Sequence, residues 1–397
     1  MQKLVVHNGK IITPYKIIPR GSLEVVGGKI TAIHEGDAKV DNALVIDAQN
    51  KYISAGFIDI HVHGGGGHDF MDGDIEGFLK IAELHARYGT TAMLPTTLTG
   101  SKDHLLHTLD VYDQAHKRNK NGAGFLGLHL EGPYFAMNQK GAQDPRYIRN
   151  PDPAEYQEIL QRSRHIVRWS AAPELEGALE FGRYLRKNGV LASIAHTDAI
   201  YEEVVEAVEN GYSLSTHLYS GMSGVSRKNA FRYAGVIESS LLMDELDVEI
   251  IADGVHLPSP LLKLIYKVKG PHKTALITDA MRAAGTPPGE SVLGHRQHGL
   301  KVIVEDGVAK LPDRSAFAGS VATADRLVRT MIQMGDVPLL DAILMMTNTP
   351  ARIMGIDQNK GSLTVGKDAD IVVFDQNIQI QETIIGGRHV YSKKKNI

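Results

Sequence analysis

Several apolar runs in this chain end on a histidine or a carboxylate. One closes with His61-Val62-His63 and another with His129-Leu130-Glu131. Others close at His196, at His217 and at Asp279, and a further run is followed by Asp253 and His256. Imidazoles and carboxylates gathered in one cleft are the donors that a divalent transition metal takes. In His-x-His both rings stand on one face of a strand, because alternate residues share a face; His61 and His63 are therefore candidate ligands. Glu131 lies in an apolar segment, where an unpaired carboxylate is costly to bury, and a metal or a base explains it. Each residue also has a plainer reading. His196 or His217 alone serves equally well as a hydrogen-bonded histidine, and Asp279 as the N-cap of a following helix. It is their joint occurrence that favours a metal site.

Such residues need elements that bring them together. Eight strand-like runs are legible: 57–62, 90–95, 125–130, 166–171, 191–195, 213–216, 248–252 and 274–278. Between most of them lie stretches with helical apolar spacing, at 75–88, 102–116, 154–163, 175–188, 200–210 and 258–268. Continuous apolar strands alternating with amphipathic helices predict a parallel sheet covered on both faces. Eight units predict a closed (β/α)8 TIM-type barrel, whose strand C-termini all face one mouth; a doubly wound open sheet is the alternative. Both chain ends read instead as short strands with Gly-rich turns. Asn8-Gly9, Gly27-Gly28 and Gly386-Gly387 are hairpin signals, and Lys301–Leu311 reads as a hairpin inserted after the eighth strand. The expected organisation is a barrel over 53–354 and a small β-sandwich domain assembled from 1–52 and 355–397.

The bulk composition narrows the function. At 397 residues with 43% hydrophobic and 22% charged positions, the chain suits a soluble barrel with a smaller domain. A net charge of -3 points to neither a nucleic-acid nor a membrane partner. With no cysteine, thiolate ligands and a cysteine nucleophile are excluded. The first twelve residues lack the apolar core of a leader, and no apolar run approaches the roughly 20 residues of a membrane helix, so a cytoplasmic location is expected. Gly64–Gly67 either lets backbone approach a substrate closely or forms a flexible loop; it does not make a phosphate-binding GxGxxG or Walker loop.

Taken in order, His61-Val62-His63-Gly64, His129-Leu130-Glu131-Gly132-Pro133-Tyr134, Ala195-His196-Thr197, Thr216-His217-Leu218-Tyr219, Ala252-Asp253-Gly254-Val255-His256, Thr278-Asp279-Ala280-Met281 and Phe317-Ala318-Gly319-Ser320 resemble the N-acetylglucosamine-6-phosphate deacetylases of the amidohydrolase superfamily. The resemblance spans nearly the whole chain. It implies a metal bound by Glu131, His196 and His217, and a second bound by His61 and His63 with Glu131 bridging. One or two divalent ions per subunit are expected, zinc or iron. The implied reaction hydrolyses the N-acetyl group of a phosphorylated amino sugar, giving glucosamine-6-phosphate and acetate, with metal-activated water and Asp279 as general base and acid. His256 is implied at the acetyl carbonyl or the phosphate, with Gln143, Ser220, Gly221 and Ser320 as further substrate contacts. Arg227, Lys228 and Arg232 are phosphate candidates; in relatives the phosphate-binding arginine comes from the neighbouring subunit, which implies a homodimer.

Three departures touch substrate recognition. Ser220-Gly221-Met222 stands where many relatives have Asn-Ala-Met, and Lys140-Gly141-Ala142-Gln143 where many end in His. The stretch that carries the family's phosphate-binding arginine reads Ser226-Arg227-Lys228-Asn229-Ala230-Phe231-Arg232 here. Alternative readings are a deacetylase of N-acetylgalactosamine-6-phosphate or of another N-acyl amine or cyclic amide, and a non-catalytic barrel scaffold. Scaffolds of that kind lose the metal ligands that this chain keeps.

Overall fold

The computed structural model describes residues 3–38 and 42–395; the outermost positions of the expected terminal domain, 1–2 and 396–397, lie outside the described residues. Eight parallel strands occupy the middle of the chain. They are β1 (Phe57–Val62), β2 (Thr90–Pro95), β3 (Leu128–Glu131), β4 (Ile166–Ala171), β5 (Leu191–Ile194), β6 (Tyr212–Ser215), β7 (Asp247–Ile250) and β8 (Thr274–Leu276). β1 pairs with β2, and β3 through β8 form one continuous parallel sheet. Isolated parallel bridges join the two sheets near their C-terminal ends, Thr96 with His129 and Val62 with Ala280. Thr97 N–H donates to His129 O at 2.9 Å and His63 N–H to Ala280 O at 2.9 Å. The result is a curled, TIM-like parallel sheet with its C-terminal strand ends on one side.

Helices α1 (Ile75–Arg87), α2 (Lys102–Arg118), α3 (Pro153–Arg162), α4 (Ala178–Lys187), α5 (Tyr201–Glu209), α6 (Val236–Leu242), α7 (Ser259–Lys269) and α8 (Ala324–Gln333) follow the eight strands in turn. Side chains fix several starts. Asp74 accepts from Gly77 N–H at 2.6 Å, and Asp152 accepts from Ala154 and Glu155 N–H at 2.8 and 3.0 Å, satisfying donors that the first helical turn leaves free. No helix starts at Asp279, so the N-cap reading of that residue does not hold.

The two chain ends share one sheet. Its order runs Arg388–Ser392, Ile380–Ile385, Ile371–Phe374, Tyr52–Ala55, Lys3–Ile12, Ile17–Val26, Lys29–Glu35, with Ala43–Asp47 pairing parallel to Lys3–Ile12. Val6, Leu23, Ile53, Ile371 and Ile384 belong to its separate apolar core. Gly27-Gly28 and Gly386-Gly387 are turns, as expected, but Asn8-Gly9 is not. It lies inside Lys3–Ile12, where Asn8 has φ 55° and the register slips between Val6 and Gly9. This is a bulge, and glycine suits it because a Cβ at Gly9 would sit 2.6 Å from Ile53 Cγ1 and 2.9 Å from Ala48 Cβ. The expected run 125–130 is two pieces: Gly124–Phe125 pairs with β2, and β3 begins after Gly127, which has φ 138°. The hairpin expected at 301–311 is present as Leu300–Glu305 and Val308–Lys310, within a four-stranded antiparallel sheet completed by Gly289–Leu293 and Phe317–Ser320.

Candidate metal centre

His61 and His63 project from one face of β1 and its end, and their Nε2 atoms are 3.2 Å apart. Glu131, the last residue of β3, faces them: Oε1 is 3.5 Å from His61 Nε2, and Oε2 is 3.4 Å from His63 Nε2. His217 and His196 approach Oε1 from beyond β6 and β5, at 2.9 and 3.5 Å. Asp279, beyond β8, places Oδ1 3.1 Å from His63 Nε2 and 3.5 Å from His61 Nε2. The six side chains are buried.

They form two triads, His61/His63/Asp279 and Glu131/His196/His217, with donor atoms in each lying within 4.8 Å of one another. Donors held about 2.1 Å from one tetrahedral ion stand roughly 3.4 Å apart, which is close to the separations found here. The ring orientations also fit a cation. His63 Nδ1 faces Thr96 O at 3.2 Å and His196 Nδ1 faces Gln139 O at 2.7 Å. Each carbonyl accepts from the Nδ1–H and leaves Nε2 as the nitrogen that a cation would take.

The electrostatics match. Burial opposes ionisation of Glu131, yet the charge on His61 and hydrogen bonds from His196 and His217 hold its carboxyl well below the usual carboxylate range. Burial opposes ionisation of Asp279 too, and His61 and His63 keep it low. Burial works against a charge on His63, but Asp279 and Glu131 raise its pKa to about 9. His61 moves the other way, chiefly through burial, with the neighbouring His63 adding a smaller push in the same direction. Two carboxylates here keep a positive charge that imidazole alone carries poorly, and a divalent ion suits that field.

Backbone geometry at the strand ends aims these groups. His196, His217 and Asp279 have φ of 46°, 33° and 47°, a left-handed region that costs non-glycine residues about 1–3 kcal/mol. Hydrogen bonds pin the turns: Asp279 N–H to His61 O at 2.9 Å, Ser320 N–H to Asp279 O at 2.8 Å, and Ala136 N–H to His196 O at 2.8 Å.

Above the centre lies a cleft of about 270 Å³, reached by His63, Glu131, Gln143, His196, His217, Ser220, Gly221, His256 and Asp279. His61 is fully buried beneath it. Gln143 is committed: its Nε2 donates to Glu131 Oε2 at 2.7 Å and its Oε1 accepts from Thr99 N–H at 2.9 Å. His256 Nδ1 lies 2.8 Å from Asp253 Oδ2, so Nε2 is the ring nitrogen left for a ligand. Ser320 does not line the cleft; its hydroxyl donates to Thr278 O at 2.5 Å, and Gly319 lines the wall instead. Arg227, Lys228 and Arg232 are also outside it. They sit on an exposed hairpin, Ser226–Lys228 with Phe231–Tyr233, whose Phe231 is 72% exposed. Gly64–Gly67 is a tight turn: Gly64 and Gly65 pair with Asp69 and His68, and a Cβ on Gly64 would meet His68 O at 2.3 Å.

Sequence reasoning missed the wall residues Tyr219 and Phe317 and the charged groups beneath the centre, Asp59, Arg168 and Glu249. Charge inside otherwise apolar strands was the available signal for the last three.

The amidohydrolase family model matches residues 52–390. An N-acetylglucosamine-6-phosphate deacetylase of Lysinibacillus sphaericus is 35% identical over 355 residues, 86% of each chain. An N-acetylgalactosamine-6-phosphate deacetylase of Escherichia coli O157:H7 is 34% identical, over 92% of this chain and 93% of its own. The crystal structure of N-acetylglucosamine-6-phosphate deacetylase from Pasteurella multocida superposes with a TM-score of 0.91 at 29% identity, covering 98% of this chain and 100% of that one.

Proposed function

Because this chain belongs to the amidohydrolase family, and within it to the N-acetylglucosamine-6-phosphate deacetylases, we infer that it hydrolyses the N-acetyl group of N-acetylglucosamine-6-phosphate to glucosamine-6-phosphate and acetate. The observation that carries this reading is the meeting of two imidazole–carboxylate triads around Glu131 on the floor of a cleft. A divalent cation bound there supplies Lewis acidity toward water and the acetyl oxygen. Glu131, His196 and His217 would hold one ion; His61 and His63, together with Glu131, would hold a second. Zinc and iron both suit these donors.

Asp279 is the general base and then the general acid. Its carboxylate takes a proton from the attacking water and delivers it to the departing nitrogen. His256, oriented by Asp253, donates from Nε2 to the acetyl oxygen or the phosphate. Ser220 and Gly221 contact the sugar, and Gln143 steadies Glu131. Arg227, Lys228 and Arg232 take the phosphate of the neighbouring subunit's substrate, so the active form is a homodimer; support comes from their exposed hairpin, which stays out of its own chain's cleft. We read 53–354 as a closed barrel, and 1–52 with 355–397 as a β-sandwich. Among the described residues no helix is long and apolar enough to cross a membrane, and a cytoplasmic location is the reading we adopt.

The test is acetate release from the purified protein on N-acetylglucosamine-6-phosphate, its galactose epimer and both unphosphorylated sugars. The glucose-configured phosphate is expected to have the highest kcat/KM. Preference for the epimer, the second reading supported by the 34% identical relative, replaces the substrate and keeps the chemistry. Absence of acetate from all four overturns the function.

A further inference from the structure

Beneath the cleft, the inner face of the curled sheet carries an ionic column that the deacetylation steps do not use. Arg168 on β4 and Glu249 on β7 are fully buried and paired through both guanidinium ends, with Nη2 to Oε2 at 2.8 Å and Nη1 to Oε1 closer still. The other Arg168 donors are also engaged: Nε by Ser193 Oγ at 3.1 Å, Nη1 by Ile60 O at 3.0 Å, and Nη2 by Thr216 Oγ1 at 2.9 Å. Arg168 is thus anchored to three neighbouring segments, and Glu249 is locked with it. Such interiors are ordinarily filled by branched aliphatic side chains. A buried ion pair is seldom a net gain in stability over an apolar replacement, so the column calls for another role.

Its upper end gives one. Glu249 Oε2 stands 3.8 Å from His61 Nδ1, and that buried nitrogen has no hydrogen-bond partner. His63 and His196 have theirs in backbone carbonyls, whereas His217 Nδ1, like His61 Nδ1, has none. An imidazole that binds a metal through one nitrogen is normally oriented by an acceptor on the other. We propose that Glu249, held by Arg168, is the positioning residue of His61: its carboxylate keeps the proton on Nδ1 and Nε2 directed at the ion that His61 and His63 would hold. It thereby sets the occupancy of that ion's site independently of the ion held by Glu131, His196 and His217.

The proposal rests on reading His61 as a cation ligand, and the experiment separates the two. The full-length protein is stripped of metal and titrated with Zn2+ against a chromophoric chelator, alongside His61→Ala and Glu249→Gln. The unsubstituted protein is expected to bind two ions and His61→Ala to lose one. Glu249→Gln should bind that same ion roughly 10- to 100-fold more weakly, with the other ion unchanged. If Glu249→Gln matches the unsubstituted protein while His61→Ala loses an ion, the positioning role is overturned and the ligand reading stands. If the unsubstituted protein takes up a single ion, or His61→Ala keeps both, the ligand reading falls and the proposal with it. Glu249→Gln leaves Arg168 charged and unpaired, so the Arg168→Met/Glu249→Gln double variant repeats the titration without a stranded charge; normal affinity for both ions there also overturns the proposal. Imidazole 15N NMR of the Zn2+-loaded, unsubstituted protein needs no substitution. His61 protonated at Nδ1 is the expected result, and an unprotonated or ligated Nδ1 refutes it.

Discussion

Asp279, the general base we propose, lines the cleft with Oδ1 3.1 Å from His63 Nε2, and against burial His61 and His63 keep its carboxyl low, so it stands ready to accept a proton. Asp279→Asn keeps the size of the side chain and removes the base. Turnover is expected to fall about 10²- to 10⁴-fold, while metal content stays at or near that of the unsubstituted protein. Steady-state kinetics with elemental analysis checks this, and near-normal kcat in a fully loaded variant refutes the assignment. His85 illustrates a different constraint. It is buried on α1, its Nε2 lies 3.0 Å from Gly64 O, and burial pushes its pKa down to about 4. An exposed histidine titrates near ~6.5. Between those values the unfolded chain binds a proton that the native chain refuses. Stability present above pH ~6.5 is therefore lost as the pH falls toward about 4, by an amount on the order of 3 kcal/mol. His85→Gln should flatten the decline of unfolding free energy over that interval in denaturant titrations; an unchanged slope would assign the acid sensitivity elsewhere.

Among the elements, the hairpin Ser226–Lys228 with Phe231–Tyr233 is the piece for which we propose a role toward a second copy of the chain. Its two strands are short and largely exposed, and packing within this chain gives Phe231 little cover. If Arg227 grips the phosphate across a dimer interface, Arg227→Ala should raise KM for the phosphorylated sugar at least tenfold, since a charge-assisted contact contributes about 1.5–3 kcal/mol. Activity on the unphosphorylated sugar should stay unchanged. Mixing Arg227→Ala with Asp279→Asn, two weakly active proteins, should restore part of the activity through hybrid dimers. A KM effect that is equal on both sugars, or no recovery on mixing, argues against a shared site.

For the whole molecule, a cation held at the candidate centre would also be a cross-link. His61, Glu131, His196, His217 and Asp279 come from β1, β3 and the ends of β5, β6 and β8, so an ion that binds only the folded state ties distant parts of the sheet together. At a free ion concentration 100 times Kd, each ion contributes about 2.7 kcal/mol. Chelation should lower Tm and abolish acetate release, and adding back Zn2+ or Fe2+ should restore both; full activity after exhaustive chelation sinks the metal-dependent reading. Much of this molecule was legible in its sequence. β1, β2 and β4 lie where apolar periodicity put them, because strands buried on both faces must be continuously apolar. The six side chains that meet at the candidate centre were legible because a polar side chain that closes a buried apolar strand is costly to leave without a partner, and such residues recur at strand ends. Asn8-Gly9 misled because the dipeptide that makes a hairpin turn also makes a bulge, and only the packing of Ile53 against Gly9 separates the two. Which nitrogen of each imidazole faces the centre, that Gln143 is already bonded to Glu131, and that Arg168 and Glu249 meet beneath His61 were settled only by the tertiary structure. Those facts depend on distances between residues remote in the chain, such as His217 and Glu131, 86 positions apart, and no local pattern of residues encodes such a distance.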